Sequence, residues 1–306
     1  MTKTDLILKS NIMTTAHRKV VTEHTIQSAY NLLESCELCP RRCKINRLND
    51  EKGFCGIGAK VVVSSAGPHY GEEAVLVGSG GSGTIFFAGC NLSCVFCQNY
   101  DISQLRNGHE VEIDDMVNMM LQLQDQGCVN INFVTPTLVV PHIIESVFLA
   151  RERELTIPVV YNCGGYESIK SLQLLEGTID IYMPDAKYLS SDSSGKYSFA
   201  QDYPDVMKSA LLEMHRQVGD LEIKDGVAIR GLLVRHLVMP NDIACSNSII
   251  DFLVNEVSGN TFVNIMEQYR PSFNAHNFPE INRPLYHHEF NKVYAYAKKQ
   301  GLRLAD

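Results

Sequence analysis

The chain has 306 residues, 45% of them hydrophobic, and it carries a formal net charge of −8 at pH 7. These values are typical of a globular protein with one large domain, or of one domain with a small additional module. They exclude a broad basic surface for nucleic acid, and no apolar run approaches the ~20 residues that a membrane-spanning helix needs.

The chain contains ten cysteines, and most of them fall into two clusters. The opening residues, Met1 to Asp5, do not begin a signal peptide because no long apolar stretch follows them. Cysteines in a protein that is not secreted indicate metal binding rather than disulfide bonds. We therefore expect a cytoplasmic protein whose cysteine clusters bind metal.

The first cluster follows a predicted helix that starts near His24, and it consists of Cys36, Cys39, Cys43 and Cys55. Four thiolates suffice for a closed tetrahedral zinc site, and they would equally hold a second iron–sulfur cluster. The spacing leaves this choice open. The basic patch beside these cysteines is short and the chain is acidic, so we expect no nucleic-acid partner.

Residues 60–77 predict two strands, 60–65 and 74–77, joined by a segment with turn chemistry. His69, Glu72 and Glu73 in this segment could line a site, but we favour a polar hairpin tip. The following segment, 78–83, matches G-x-G-x-x-G, but a nucleotide-binding loop of this kind opens a helix. Here the apolar run 84–88 predicts a strand instead. We place a domain boundary at this point, with an N-terminal extension over 1–80 and the main domain over 81–306.

The second cluster, Cys90, Cys94 and Cys97, follows this strand directly with C-x3-C-x2-C spacing. Three thiolates on one loop can hold three irons of a [4Fe–4S] cluster, which normally takes four. Without a fourth protein ligand, one iron is open to a substrate or cofactor. A redox pair of Cys94 and Cys97 would leave Cys90 unexplained, and a zinc site would need a fourth ligand from elsewhere.

From residue 84 onward, strand-like and helix-like patterns alternate. The predicted strands are 84–89, 129–135, 156–162, 178–184, 227–239 and 261–266. The predicted helices lie between them and at 286–299. Six consecutive β/α units predict a parallel sheet with right-handed crossovers, whereas a closed TIM barrel has eight. The fold class is therefore α/β, a partial (β/α)6 TIM-type barrel with a small cysteine-rich N-terminal extension.

In barrels of this type the active site lies at the carboxyl ends of the strands, and each predicted strand here is followed by polar residues, glycine or proline. These residues provide donors, acceptors and close backbone approach for a cofactor. The candidate cofactor-binding residues are Asn99, Thr135, Thr137, Asn162, Gly164, Asp185, Lys187, Arg235, His236, Asn264 and Gln268.

The segments Gly89-Cys90-Asn91-Leu92-Ser93-Cys94 and Phe96-Cys97-Gln98-Asn99 resemble the signature of the radical S-adenosylmethionine (SAM) superfamily. They are similar to the branch named after the pyruvate formate-lyase activating enzyme. Segments 134–137, 182–188, 213–219 and 264–271 resemble a group of uncharacterised activase-like proteins, and this resemblance extends along nearly the whole chain.

The resemblance implies a [4Fe–4S] cluster on Cys90, Cys94 and Cys97, with SAM on its open iron. It also implies that Asn162 and the segment 164–166 contact SAM and that Asp185 and Lys187 pair at the SAM site. Arg235 resembles the arginine that meets the SAM carboxylate, to which a guanidinium is suited.

At the second strand, activating enzymes carry Gly-Gly-Glu, which binds the SAM amino group. This chain has Thr135-Pro136-Thr137 there, so we expect that contact to differ. In the activase-like group a histidine would follow Thr137, and Leu138 stands in its place.

The implied activity is reductive cleavage of SAM to a 5′-deoxyadenosyl radical, which abstracts hydrogen from a small molecule, a sugar or a peptide. An electron donor such as flavodoxin or ferredoxin is implied as a partner, and a protein substrate is possible. Cys163 and Cys245 are candidate catalytic residues, since a second hydrogen donor is often a thiol.

Two alternatives remain open from the sequence. The first is an activating enzyme that forms a glycyl radical on a pyruvate formate-lyase-like partner; the extra cysteines weaken it, because they precede the catalytic motif rather than follow it. The second is a non-catalytic iron–sulfur or zinc protein that transfers electrons or binds RNA.

Overall fold

The computed structural model describes residues 20–305, which form a mixed α/β structure around one ten-stranded sheet. The neighbouring strands run in the order β10-β9-β8-β6-β5-β4-β2-β1-β3, and β7 pairs with β8. The strands are β1 (Val61–His69), β2 (Ser82–Phe87), β3 (His109–Val111), β4 (Ile131–Val134), β5 (Val159–Cys163), β6 (Ile181–Pro184), β7 (Glu222–Lys224), β8 (Val227–Leu237), β9 (Phe262–Met266) and β10 (Arg303–Leu304).

Helices connect these strands, and the longer helices cover the outside of the sheet. They are α1 (Glu23–Glu34), α2 (Ala74–Val77), α3 (Tyr100–Ser103), α4 (Ile113–Asp125), α5 (Val140–Glu152), α6 (Ile169–Leu175), α7 (Ser191–Ser198), α8 (Tyr203–Val218), α9 (Ser246–Phe252) and α10 (His287–Lys299). None of these helices is both long and apolar enough to cross a membrane.

The six predicted strands are confirmed as β2, β4, β5, β6, β8 and β9, which pair in parallel in this order. The two ends of the sheet, β3 and β10, do not pair with each other within the described residues. The sheet therefore stays open, and the predicted partial barrel is confirmed.

Alternating side chains on β5, β6, β8 and β9 face two different cores, as strand geometry requires. On β8, Val234 joins the large core that also contains buried residues of the outer helices. Leu233 joins a smaller core with Ile181 of β6 and Phe262 of β9. Arg235 shares the face of Leu233, which is the inner face of the curved sheet.

One predicted strand is wrong. Residues 74–77 form the short helix α2, and its Leu76 is fully buried in the small inner core. Strand β1 continues to His69 and pairs antiparallel with both β2 and β3. Because His69 lies opposite Ser82, the first residue of β2, helix α2 enters the barrel at the end opposite the cysteine loop.

The N-terminal extension packs against the barrel in the part that is described. Helix α1 lies against α5, where the hydroxyl of Tyr30 donates a hydrogen bond to Glu145 at 2.5 Å. The first 19 residues of the predicted 1–80 extension lie outside the described residues.

Candidate active site

The second cysteine cluster forms a loop that leaves the carboxyl end of β2. Each of its sulfurs has a polar neighbour: the amide of Leu92 donates to Sγ of Cys90 at 3.3 Å, and Sγ of Cys94 lies 3.0 Å from the hydroxyl of Ser198. Sγ of Cys97 lies 3.2 Å from the hydroxyl of Ser103. Hydrogen bonds to sulfur are one of the means by which proteins tune iron–sulfur clusters.

The three thiols lie close enough together to affect one another electrostatically. Burial raises the pKa of Cys90, and the negative charges of the Cys94 and Cys97 thiolates raise it further. Burial also raises the pKa of Cys94, while the charge of Lys187 opposes this shift. Three neighbouring thiols, each with a polar partner, and a nearby cation match the donor chemistry that an anionic iron–sulfur cluster with three protein ligands needs.

The ends of β5, β6 and β8 bring together a second group, which consists of Asn162, Asp185, Lys187 and Arg235. Arg235 donates from Nε to Oδ1 of Asp185 at 2.9 Å and from Nη2 to Oδ1 of Asn162 at 2.8 Å. Lys187 donates from Nζ to Oδ2 of Asp185 at 2.5 Å. One carboxylate thus holds two cations, and the group keeps a net positive charge.

All three charged side chains of this group remain ionised. Burial alone would raise the pKa of Asp185, yet Arg235 and Lys187 together lower it. Burial alone would lower the pKa of Lys187, yet Asp185 and then Cys94 raise it. Because Lys187 acts on both Asp185 and Cys94, it lies between the ionic group and the cysteine loop.

The turn after β5 approaches its neighbours too closely for side chains. Gly165 has a φ of +77°, and a Cβ at this position would collide with the carbonyl oxygen of Asp185. A Cβ at Gly164 would lie 3.2 Å from Leu92 of the cysteine loop. The hydroxyl of Tyr203 lies 2.9 Å from the carbonyl oxygen of Gly164 and 2.8 Å from that of Asp185.

The second-strand segment contacts a buried carboxylate that the sequence analysis missed. Thr135 has a φ of +59° and donates its amide to the carbonyl oxygen of Asn162 at 2.9 Å. Thr137 donates its hydroxyl to Oε1 of Glu167 at 2.7 Å, and Tyr161 donates to Oε2 at 3.1 Å. Burial raises the pKa of Glu167 to about 7, although both hydrogen bonds oppose this.

Glu72 and Glu73 are not at an exposed hairpin tip, so that prediction is wrong. Oε1 of Glu73 accepts a hydrogen bond from Asn264 of β9 at 2.9 Å, and its Oε2 is buried without a partner among the described residues. The charges of Glu73 and Glu72 both act on Arg235. The segment that leads into α2 therefore brings two carboxylates to the interior of the barrel, near Arg235. The segment is too short to show a periodicity from which this placement could have been predicted.

Three candidate residues do not join the strand-end group. His236 is fully buried, and its ring nitrogens lie 2.7 Å from the carbonyl oxygen of Ala186 and 2.8 Å from the hydroxyl of Ser246. Cys163 is 2% exposed, and its thiol hydrogen-bonds Glu167. Cys245 precedes α9, where Asp242 is the charged group that acts on it.

Gln268 and Asn99 lie beside the cysteine loop. The side chain of Gln98 donates to the carbonyl oxygen of Gln268 at 3.1 Å, and the side chain of Gln268 contacts the sulfur of Met266. Asn99 is exposed and precedes α3. The structure places both residues near the loop without a contact to Asp185 or Arg235 among the described hydrogen bonds.

The first cysteine cluster is also brought together. Cys36, Cys39, Cys43 and Cys55 line one small pocket, together with Asn91 of the second cysteine loop. The two cysteine clusters therefore lie on either side of the same short segment of chain.

Comparisons with known proteins identify the family of this chain. The family model of the radical SAM superfamily matches residues 84–237, half of the chain. Uncharacterized protein MJ0674 of Methanocaldococcus jannaschii is 35% identical over 289 residues, which cover 91% of this chain and 79% of that protein.

Solved structures are also similar to this chain, at low sequence identity. Streptococcus suis SuiB, crystallised with the precursor peptide SuiA, has a TM-score of 0.50 and 14% identity over 71% of this chain and 46% of SuiB. HydG, a maturase of the [FeFe]-hydrogenase, has a TM-score of 0.46 and 14% identity over 69% of this chain and 47% of HydG. The chain thus spans less than half the length of these two solved proteins.

Members of the radical SAM superfamily are enzymes, and their fold implies a [4Fe–4S] cluster, SAM and radical chemistry. Here the matched region begins in β2, immediately before the three-cysteine loop, and ends at Leu237, the last residue of β8. Because the family model matches half of the chain, the chain belongs to the radical SAM superfamily.

Proposed function

We propose that this protein cleaves SAM reductively at a [4Fe–4S] cluster held by Cys90, Cys94 and Cys97, and abstracts hydrogen from a small molecule, a sugar or a peptide. The observation that carries the proposal is the position of Lys187. Its ammonium contacts Asp185 at 2.5 Å, and its charge acts on Cys94, so the ionic group and the cysteine loop face one site.

When bound, the reduced cluster and SAM supply a 5′-deoxyadenosyl radical. The side chains around Asp185 bind and orient SAM. Arg235 and Lys187 provide cationic donors for its carboxylate, and Nη1 of Arg235 forms no hydrogen bond to any described residue. Asp185 fixes both cations, and a guanidinium suits a carboxylate because it can donate two parallel hydrogen bonds.

The turn after β5 supplies backbone rather than side chains to the same site. Asn162 positions Arg235 through its side-chain oxygen, and Gly164 leaves room beside the cysteine loop. Thr135 is proposed to contact SAM through its backbone, since its strained conformation turns the chain at the strand end. Thr137 is a positioning residue, because its hydroxyl is already donated to Glu167.

We assign no role in hydrogen transfer to Cys163 or Cys245. A thiol that donates hydrogen to a substrate radical has to face the substrate, whereas Cys163 is buried against Glu167. His236 is assigned to packing, because both of its ring nitrogens already have partners on the helix side of β8. Asn264, which donates a hydrogen bond to Glu73, is proposed to line the inner wall of the barrel next to Arg235.

The proposed cofactors are the [4Fe–4S] cluster and SAM, with a further metal centre, zinc or a second cluster, at Cys36, Cys39, Cys43 and Cys55. The proposed partner is a one-electron donor such as flavodoxin or ferredoxin, and the proposed location is the cytoplasm, where thiols stay reduced. We expect a dedicated substrate rather than a glycyl-radical partner, because the additional cysteines precede the catalytic loop.

The test is anaerobic turnover. Protein reconstituted with iron and sulfide, and reduced with dithionite, is mixed with SAM, and 5′-deoxyadenosine and methionine are quantified. We expect both products from the wild type and none from Cys94→Ala. Cys128→Ala is the matched control, since Cys128 is a buried thiol outside both clusters and should leave turnover unchanged.

Full retention of SAM cleavage by Cys94→Ala would contradict the proposal. A glycyl-radical EPR signal on a pyruvate formate-lyase-like protein, formed after mixing with the reduced enzyme and SAM, would reassign the substrate to a protein partner. Deuterium from solvent in a small product would instead favour an epimerase. Because neither thiol is assigned to hydrogen transfer, Cys163→Ala and Cys245→Ala should then incorporate as much deuterium as the wild type.

A further inference from the structure

We propose that the interior of the barrel, between Arg235 and the small inner core, binds a neutral polyol, a sugar or a sugar alcohol, through Asn132 and Glu73. The inference rests on the proposed function and deepens it, because it names the chemical class of the substrate.

Strand geometry places Asn132 on the inner wall of the barrel. Its neighbours in β4, Ile131 and Phe133, belong to the large core, so Asn132 faces the opposite side of the sheet. In the parallel pairing it lies between Thr84 of β2 and Val160 of β5, and Val160 belongs to the small inner core. A polar amide therefore stands where the next strand has an apolar side chain.

The side-chain amide of Asn132 has no internal partner. The residue is fully buried, and neither Oδ1 nor Nδ2 forms a hydrogen bond within residues 20–305. Asn130, two residues earlier on the same face, is equally buried but has partners. Its Nδ2 donates to the carbonyl oxygen of Leu76, and its Oδ1 accepts from the hydroxyl of Ser82, both at 2.7 Å. Buried polar groups are nearly always hydrogen-bonded, so Asn132 indicates a partner from outside the described chain.

Glu73 has an unsatisfied oxygen in the same interior. The residue is 9% exposed, and its Oε1 accepts from Asn264 at 2.9 Å, whereas its Oε2 has no partner among the described residues. Arg235 does not supply the missing donor, since it donates from Nε to Asp185 and from Nη2 to Asn162. A buried carboxylate oxygen without a donor is costly, so Glu73 also requires a partner.

Helix α2 connects the two unsatisfied side chains. Leu76 within this helix accepts the hydrogen bond from Asn130, and Glu73, just before the helix, accepts the one from Asn264. The amide of Leu76 also donates to the carbonyl oxygen of Glu73 at 2.7 Å. Asn132 follows Asn130 by ~7 Å along its strand, toward the carboxyl ends of the sheet. Asn132 and Glu73 therefore border the same part of the barrel interior.

The hydrogen-bonding needs of these side chains select hydroxyl groups. Glu73 offers an acceptor, whereas Asn132 offers both an acceptor and a donor. Adjacent hydroxyls satisfy all three atoms, because a hydroxyl both donates and accepts. An ammonium has no acceptor for Nδ2 of Asn132, and a carboxylate has no donor for Oε2 of Glu73.

The charges of the interior also favour a neutral ligand. The carboxylate of Asp185 acts on the cations Arg235 and Lys187, and those of Glu72 and Glu73 act on Arg235. SAM, which carries a net positive charge, would balance the remaining carboxylate. A ligand with its own charge would then be buried without a counter-charge, which is costly.

The first experiment compares the melting temperatures of Asn132→Val and Asn130→Val in the anaerobically reconstituted, unreduced full chain without added ligand. Valine at 132 removes two unpaired polar atoms, so we expect the melting temperature to rise by about 2 °C or more. Valine at 130 leaves the Ser82 hydroxyl and the Leu76 carbonyl oxygen without partners, so the melting temperature should fall. A melting temperature of Asn132→Val at or below that of the wild type would overturn the assignment of Asn132.

The second experiment is isothermal titration calorimetry of the unreduced protein in the presence of SAM. The probes are ribitol, glucose and myo-inositol, with putrescine as an amine and glutarate as a carboxylate. We expect saturable binding of at least one polyol and of neither charged probe. Asn132→Val and Glu73→Gln should each weaken polyol binding at least about tenfold, whereas Glu110→Gln, at an exposed position, should bind as the wild type does.

The wild-type titrations decide the ligand class even if a variant fails to fold. Binding of putrescine or glutarate in place of a polyol, or the absence of polyol binding, would overturn the proposal. Polyol binding that is unchanged in Asn132→Val and Glu73→Gln would place the ligand elsewhere and overturn the site. Neither experiment requires reduction of the cluster, so failure to cleave SAM would sink the proposed function while the polyol site would stand.

Discussion

Arg235 of β8 donates its Nε to Oδ1 of Asp185, 2.9 Å away, at the point where β6 has just ended. The two residues also form an isolated parallel bridge, in which the amide of Ala186 donates to the carbonyl oxygen of Arg235 at 2.8 Å. Side chain and backbone thus join the ends of two adjacent strands at the proposed SAM site.

Asp185→Asn should weaken SAM binding at least about tenfold, or about 1.4 kcal/mol. The amide keeps the shape of the carboxylate but leaves Arg235 and Lys187 buried without their common counter-charge. Equilibrium dialysis of SAM and product formation at saturating SAM measure the effect. Asp192→Asn, at an exposed position of α7, is the control, and equal SAM binding by both variants would contradict the prediction.

Arg235→Lys should lower kcat/KM for SAM while leaving the protein folded. An ammonium cannot reproduce the planar donors that reach Asp185 and Asn162 together. Arg230→Lys is matched to it, because Arg230 lies on the same strand and, among the described hydrogen bonds, donates only to the carbonyl oxygens of Gln217 and Val218. Steady-state rates across SAM concentrations separate the two variants, and wild-type kinetics in Arg235→Lys would refute the assigned role.

Gly165→Ala should reduce SAM cleavage strongly, whereas Gly219→Ala should not. Both glycines have positive φ angles, +77° and +73°, so the backbone strain of alanine costs roughly 1–3 kcal/mol at either position. Only at Gly165 would the new methyl group collide with the carbonyl oxygen of Asp185, because Gly219 has open space around it. Melting temperatures and 5′-deoxyadenosine yields are compared, and parallel losses of turnover would show that strain alone is responsible.

Glu167 should make the stability depend on pH. Its pKa in the folded protein is about 7, above the ordinary 4.5, because burial disfavours the carboxylate. Between these values the folded state binds the proton more tightly than the unfolded chain does, so stability falls as pH rises from 4.5 to 7. The full difference is about 3 kcal/mol.

The measurement is the melting temperature of the wild type and Glu167→Gln between pH 5 and pH 8. We expect the decline with rising pH to be smaller in Glu167→Gln, because glutamine does not ionise. Glu110→Gln alters an exposed carboxylate and should follow the wild type. Identical pH profiles for the wild type and Glu167→Gln would show that Glu167 does not titrate in this range.

The β/α alternation and the strand ends were predictable from the sequence for a physical reason. Buried parallel strands require continuous apolar runs, and the polar residues that follow them meet at one edge of the sheet. The convergence of Asn162, Asp185 and Arg235 follows from this rule. Strand geometry would also have excluded His236 from the site, because adjacent residues on a strand face opposite sides and Arg235 faces inward.

Other parts of the site had no such signal. Residues 74–77 are short and apolar, so pattern alone does not distinguish a strand from a single helical turn, and tertiary contacts around Leu76 decide the outcome. Glu167 follows the turn after β5, four residues beyond Cys163, where a polar residue would ordinarily be solvated. Its burial depends on Thr137 and Tyr161, which come from separate strands and connections.

The hydroxyl of Tyr203 accepts the amide of Lys187 at 3.0 Å while it lies against the carbonyl oxygens of Gly164 and Asp185. It comes from the first residue of α8, so one phenol links that helix to two strand ends. A displacement of α8 would therefore disturb both segments together. The two strand ends would then move together, so the position of α8 is coupled to the alignment of the groups around Asp185.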